Sequence, residues 1–239
     1  MQIIMLGALA IIIPVGLRVW FYQSANRAVA LVEQRIGKGE GEYKPVDYFA
    51  MSTAAPIVYS DQDLQEAENG GGVLAELGDI GSAGEDYEEF LLEESGTDEA
   101  ETAYILEIPA ISLKTIARRS KSFADIYAQM RLGAAIFPKA PALDQIGNLC
   151  MSAHRTGTRD YFRNLDKLSA GDKVFIHSQT LGSFCYEVED VGIIAANDWS
   201  VTEETDVPVV TLLSCQAYKG VSHGQRIMVR AKLVARAAA

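Results

Sequence analysis

Val209-Val210-Thr211-Leu212-Leu213-Ser214-Cys215 is the stretch on which the reading of this chain turns, with Arg226 eleven residues beyond it. A short run rich in Val, Thr and Leu, free of Gly and Pro, predicts a buried strand. It delivers a cysteine at its C-terminal end, where a polar loop over 216–225 is expected to begin. A return strand over 226–234 follows, with Ile227, Val229, Ala231 and Leu233 alternating with Arg226, Met228, Arg230 and Lys232. Strand ends beside loops are common places for reactive side chains, because the sheet holds them while the loop admits substrate. An arginine heading the return strand would stand close to the cysteine. A base is still missing from this pair, and the chain has only three histidines.

Composition narrows the field. The chain has 239 residues, enough for one or two domains with a substantial core. Its net charge of −11 is unevenly placed: residues 38–103 hold eighteen acids against two lysines, whereas 104–239 hold sixteen Lys or Arg against thirteen acids. An acidic protein without a basic tract is a poor nucleic-acid binder, so no nucleic-acid partner is expected. The three cysteines, Cys150, Cys185 and Cys215, form no C-x-x-C pair. Neither a zinc site nor a thioredoxin-type motif is expected, at least one thiol is free, and no metal or cofactor is implied. Cys150 and Cys185 read as small buried packing residues.

Residues 1–17 carry no charged side chain, and the apolar character runs on through Val19-Trp20-Phe21-Tyr22. About 20 such residues suffice to cross a hydrocarbon core, so 1–22 is expected to be a transmembrane anchor in contact with membrane lipid. Trp20 and Tyr22 would lie in the interfacial belt, and Arg18 would snorkel. A juxtamembrane helix over 23–36 is expected next, ending at Gly37 and Gly39. Residues 40–102 are acidic and include Gly70-Gly71-Gly72, which reads as a solvated linker or as a flap over a basic groove. The expected organisation is an anchor over 1–22, a juxtamembrane helix and acidic linker or lid over 23–103, and a catalytic body over 104–239.

The body reads as mainly β. Short strands flank Pro109, and Phe123, Ile126, Tyr127 and Met130 recur at helical spacing behind Ser122 as N-cap. A strand over 149–154 ends in His154, a helix is expected over 160–168, and strands follow at 173–177 and 184–189. Hairpin-linked strands with few short helices predict a closed or nearly closed β-barrel of antiparallel or mixed pairing. His177 precedes a turn far in pattern from the cysteine strand, and His223 lies in the loop before Arg226. His154 ends a strand as Cys215 does. On spacing alone all three stay open, with His154 the best placed.

Several segments together resemble the sortase transpeptidases: Ser152-Ala153-His154-Arg155, Phe162-Arg163-Asn164-Leu165-Asp166-Lys167-Leu168, Gly171-Asp172-Lys173-Val174, and Thr211-Leu212-Leu213-Ser214-Cys215 with Arg226 beyond. Ile108-Pro109-Ala110-Ile111 matches that family's first strand. The likeness covers about residues 104–234. The short Cys-to-Arg interval with Tyr218 and His223, and the long segment ahead of the body, are most similar to the class C, pilin-polymerising enzymes. The chain departs from the family at Ser214, where threonine is usual, and at Ala153, where glycine is usual. It has no Asp-Pro-aromatic lid motif; Asp79-Ile80 or Asp86-Tyr87 would have to take that place. No second hydrophobic segment follows Val234.

The resemblance implies roles. Cys215 would be the nucleophile, His154 the general acid and base, and Arg226 the group that stabilises the oxyanion and substrate carbonyls. Thr211, Ser214 and His223 would contact substrate. It implies cleavage of an LPXTG-like sorting signal at Thr–Gly through a thioacyl-enzyme. An amine from a pilin lysine or a cell-wall cross-bridge would then receive the acyl group. It also implies an extracellular body on a single-pass anchor, although Arg18, Arg27 and Arg35 all follow the span and argue the other way. Two other readings are a cysteine peptidase that passes the acyl group to water, and a non-catalytic anchored barrel that binds peptides.

Overall fold

The computed structural model describes residues 42–65, 103–157, 159–218 and 221–238, with single helical positions between 23 and 34. Eleven strands are present among them: β1 (Lys44–Pro45), β2 (Ser52–Thr53), β3 (Ala103–Ile108), β4 (Leu113–Arg119), β5 (Ala134–Ile136) and β6 (Gln145–Ile146), then β7 (Asn148–Ser152), β8 (Lys173–Ser178), β9 (Gly182–Ala195), β10 (Val209–Tyr218) and β11 (Val221–Ala237). Eight of them run in the order β11-β10-β7-β5-β4-β3-β8-β9, and β9 pairs back onto β11 to close a barrel. Most pairings are antiparallel, but β4–β5 and β10–β7 are parallel. The expected mainly β barrel is therefore correct.

Period-two alternation sorts the side chains. Val210 and Leu212 of β10, Leu149 and Met151 of β7, and Ile227, Val229, Ala231 and Leu233 of β11 point into the barrel and form its main core. The alternate residues Leu213, Cys150 and Met228 point outward, into a second apolar cluster. That cluster is roofed by α1 (Phe123–Met130), whose N-cap Ser122 accepts from the Asp125 amide through Oγ at 3.3 Å. Gly133 follows α1 because any Cβ there would collide with the Ile116 carbonyl of β4. Each face of the β7–β10–β11 region is thus covered, which explains the unbroken apolar run with which β10 begins.

Several expectations need correction. The interval 216–225 is not a loop: β10 continues to Tyr218 and β11 starts at Val221, so Cys215 sits within a hairpin. The register shifts between Cys215 and Ala217: Cys215 pairs with Arg226 and Ala217 with Ser222, so β11 carries the extra residues of a bulge opposite Gln216. The helix over 160–168 is replaced by a single 3₁₀ turn, Leu165–Lys167. Its amides and side chains are claimed elsewhere: Phe162 N donates to the His154 carbonyl at 2.9 Å, and Tyr161 Oη donates to the Leu132 carbonyl at 3.2 Å. β7 stops at Ser152, two residues before His154.

The segment ahead of the barrel is not a free linker where it is described. β1 pairs with the end of β11, β2 pairs in parallel with β6, and Tyr48 Oη donates to the Leu233 carbonyl. Farther along, Ile57 N donates to Glu204 Oε1 at 2.6 Å, and Lys139 Nζ binds the Val58 carbonyl at 3.1 Å and Asp63 at 2.9 Å. Residues 42–65 thus form a strap along the barrel. Residues 66–102 lie outside the described residues, as do 1–22 and the suggested lid positions Asp79, Ile80, Asp86 and Tyr87. Among the described residues no helix is long and apolar enough to cross a membrane.

Candidate active site

The pairing that closes this side of the barrel also assembles the site. β10 pairs in parallel with β7, with Thr211 opposite Cys150 and Leu213 opposite Ser152. Just past β7 the Ala153 amide still donates to the Leu213 carbonyl at 3.3 Å, and the next residue, His154, lines the same cavity as Cys215. β10 pairs antiparallel with β11, placing Arg226 directly opposite Cys215. Cys215 and Arg226 share the parity of Leu213 and Met228, so they lie on the outward face at one end of the roofed cluster.

The three line one cavity of about 110 Å³, whose apolar wall comes from Phe123, Ile126, Met130, Phe137, Trp199 and Leu213. Its polar rim is made by His154, Cys215, Arg226, Tyr127 and Asp198. Cys215 is exposed, whereas Cys150 and Cys185 are buried, as their sequence context predicts. Burial pushes the Cys150 thiol up to about 12, which leaves it inert. The accessible thiol is therefore the one at the cavity mouth.

His154 is held by its neighbours in sequence and space. Ala153 N donates to the Leu213 carbonyl at 3.3 Å, and Ser214 Oγ donates to the Ala153 carbonyl at 3.1 Å. Arg155, beside it, donates from Nη1 to Gln216 Oε1 at 2.9 Å and pairs through Nη2 with Asp166 at 2.6 Å. Arg155 thus clips the segment after His154 to the residue after Cys215. Burial, and then the Arg159 cation, hold the His154 imidazole below its ordinary value. Arg226 Nε donates to the Ala196 carbonyl at 3.1 Å, which fixes the guanidinium against the turn leading out of β9.

The other sequence candidates fall differently. Ser214 lines the cavity, but its hydroxyl is committed to Ala153. Thr211 is fully buried and donates to Asn148 Oδ1 at 2.7 Å, below the cavity floor. Asn148 in turn donates to the carbonyls of Val201 at 2.8 Å and Glu203 at 2.9 Å, pinning the β9–β10 connection across this face. His223 falls on β11 in a stretch whose side chains lie outside the described residues. His177 sits on β8, paired with Ile105 of β3, on another part of the barrel. Tyr127, Asp198 and Trp199 were missed as rim and wall residues. Tyr127 belongs to the apolar stripe of α1, and the turn bearing Asp198 and Trp199 has no chemical motif.

A family model described as the sortase domain matches residues 106–234, more than half of the chain. Among solved structures, Sortase C-3 from Streptococcus pneumoniae aligns over 91% of this chain and 85% of its own, at 16% identity and a TM-score of 0.50. A Sortase D5 transpeptidase from Clostridium perfringens aligns over 61% of this chain and 94% of its own, at 23% identity and a TM-score of 0.48. A pilus-related Sortase C of Group B Streptococcus aligns over 56% and 67%, at 24% identity and a TM-score of 0.47. The similar structures thus include pilin sortases together with other classes. A comparison with curated proteins gives no match. With the domain model spanning the barrel from β3 to β11, the chain belongs to the sortase family of cysteine transpeptidases.

Proposed function

We propose that this protein is a membrane-anchored transpeptidase that cleaves an LPXTG-like signal at Thr–Gly and passes the acyl group to an amine of a pilin or the cell wall. The observation that carries the reading is the convergence of His154, Cys215 and Arg226 on one barrel face beside an apolar cavity. His154 takes the proton from Cys215, and Sγ attacks the threonine carbonyl. Arg226 stabilises the negative charge that develops on the carbonyl oxygen. The C–N bond to glycine breaks, His154 returns the proton to the leaving amine, and a thioester remains on Cys215. An incoming amine attacks that thioester, the C–S bond breaks, and the thiol is restored. The leucine side chain of the signal suits the cavity, since an apolar pocket of this size accepts one aliphatic group.

The long acidic segment ahead of the barrel and the short hairpin after Cys215 favour a pilin-polymerising enzyme. The apolar run over 1–22 supports an anchor, and the family's substrates support an extracellular body. The test is mass spectrometry of the protein with a Leu-Pro-Asn-Thr-Gly peptide, with and without an added amine. The expected result is an adduct on Cys215 that the amine discharges and that Cys215→Ala abolishes. Discharge by water at an equal rate whether or not amine is present would favour a peptidase. An intact peptide with no adduct would favour the binding barrel.

A further inference from the structure

Phe123 is 1% exposed and lies at the centre of an aromatic cage. Three rings meet it edge to face: Tyr59 at 5.0 Å between centroids, Phe137 at 5.6 Å and Trp199 at 5.7 Å. Phe123, Phe137 and Trp199 line the cavity beside Cys215, whereas Tyr59 does not. Tyr59 stands behind Phe123, and it alone of the four comes from the strap rather than the barrel.

The strap holds that ring firmly in place. Tyr59 Oη donates to the Pro138 carbonyl at 3.4 Å, and Lys139 Nζ lies 5.8 Å from the Tyr59 ring centre. The same ammonium binds the Val58 carbonyl and pairs with Asp63, so one cation fixes the strap on both sides of Tyr59. The hydrogen bond from that lysine holds the Asp63 carboxyl below the usual carboxylate range. On the far side of the cage, Trp199 carries a ring nitrogen that is buried without a hydrogen-bond partner. Packing therefore governs where the indole rests. Trp199 follows the turn whose Ala196 carbonyl anchors Arg226.

We propose that Tyr59 of the N-terminal strap is a positioning residue that sets the size of the apolar cavity beside Cys215, acting through Phe123, and thereby selects which side chain the cavity admits. Removing the ring leaves a void behind Phe123, which moves back into it and opens the cavity. The inference rests on the proposed function in reading this cavity as a substrate subsite. Its test is read on the thiol itself and stands whether or not the peptide reacts.

The experiment measures alkylation of Cys215 in the full chain by N-methylmaleimide and N-benzylmaleimide, which share a warhead and differ in apolar bulk. Cys150 and Cys185 are buried, so the exposed thiol reports. Tyr59→Ala is expected to raise the benzyl-to-methyl rate ratio about three- to tenfold, with the methyl rate within about twofold of the parent. Tyr59→Phe is expected to match the parent. Lys139→Met, which frees the strap and removes the cation over Tyr59 but leaves all four rings in place, is expected to shift the ratio in the same direction by less, and it keeps the test decisive should Tyr59→Ala fail to fold. An unchanged ratio in both Tyr59→Ala and Lys139→Met, or equal acceleration by both reagents, overturns the proposal. With Leu-Pro-Asn-Thr-Gly, the matching result is a raised KM with kcat little changed.

Discussion

Burial of the His154 imidazole disfavours its protonated form. Its pKa is lowered by desolvation and then by Arg159, so protonation of the base, and loss of acylation with it, lies below the ordinary histidine value of 6.5. Arg159→Gln should move the acidic limb of the pH–rate profile for Cys215 acylation upward; an unmoved limb would exclude Arg159 as a cause. The same shift has a stability consequence. The unfolded chain takes up a proton below about pH 6.5 that the folded chain refuses, so folding free energy falls as pH drops from there toward the lowered value. At Thr211 the expected effect is structural. Thr211→Val leaves the buried Asn148 Oδ1 without its donor, at a cost of about 1–3 kcal/mol in denaturant unfolding. Acylation of Cys215 at a temperature where the variant is folded should stay near the parent rate, because the hydroxyl faces Asn148 and not the cavity.

At the scale of elements, α1 is the roof of the site, and its placement depends on how closely the chain after it approaches β4. Gly133→Ala forces a Cβ against the Ile116 carbonyl, which must displace either β4 or the end of α1. The expected cost is about 1–3 kcal/mol by thermal or denaturant unfolding. Peptide KM should rise as well, because Ile126 and Met130 of α1 line the cavity. The bulge in the β10–β11 hairpin is a second such device. β10 keeps register with β11 through Cys215, opposite Arg226, and the ladder shifts just beyond, where β11 carries the extra residues opposite Gln216, so the thiol stands where the regular ladder ends. Gln216 itself is held by Arg155, so the bulge and the segment bearing His154 are coupled by a single side chain.

At the scale of the molecule, the strap and the barrel form one packed body. Val46 and Met51 pack against the main core and Tyr59 against the second cluster. A chain cut to 103–239 is expected to lose about 2–5 kcal/mol of stability relative to one that begins at 42, as judged from the burial of these side chains. Equal unfolding midpoints for the two would show that the strap contributes nothing to the fold.

By itself the amino-acid sequence determined that the body is a β-barrel, because alternation and turn residues are written locally. It also pointed to Cys215, His154 and Arg226, because each lies in or beside an apolar run that resembles one family. The amphipathic period of α1 and its Ser122 cap were legible for the same reason. Tertiary structure alone decided which strand lies beside which. The parallel pairing of β7 with β10 joins segments about sixty residues apart, and nothing in either strand's pattern names its partner. That pairing, with the β10–β11 hairpin, is what brings three separate residues to one cavity. Linker and flap both stayed open for the segment that includes the strap because its few apolar residues carry no period; they are anchored singly, by Tyr48, Ile57 and Tyr59, on surfaces that exist only once the barrel has closed.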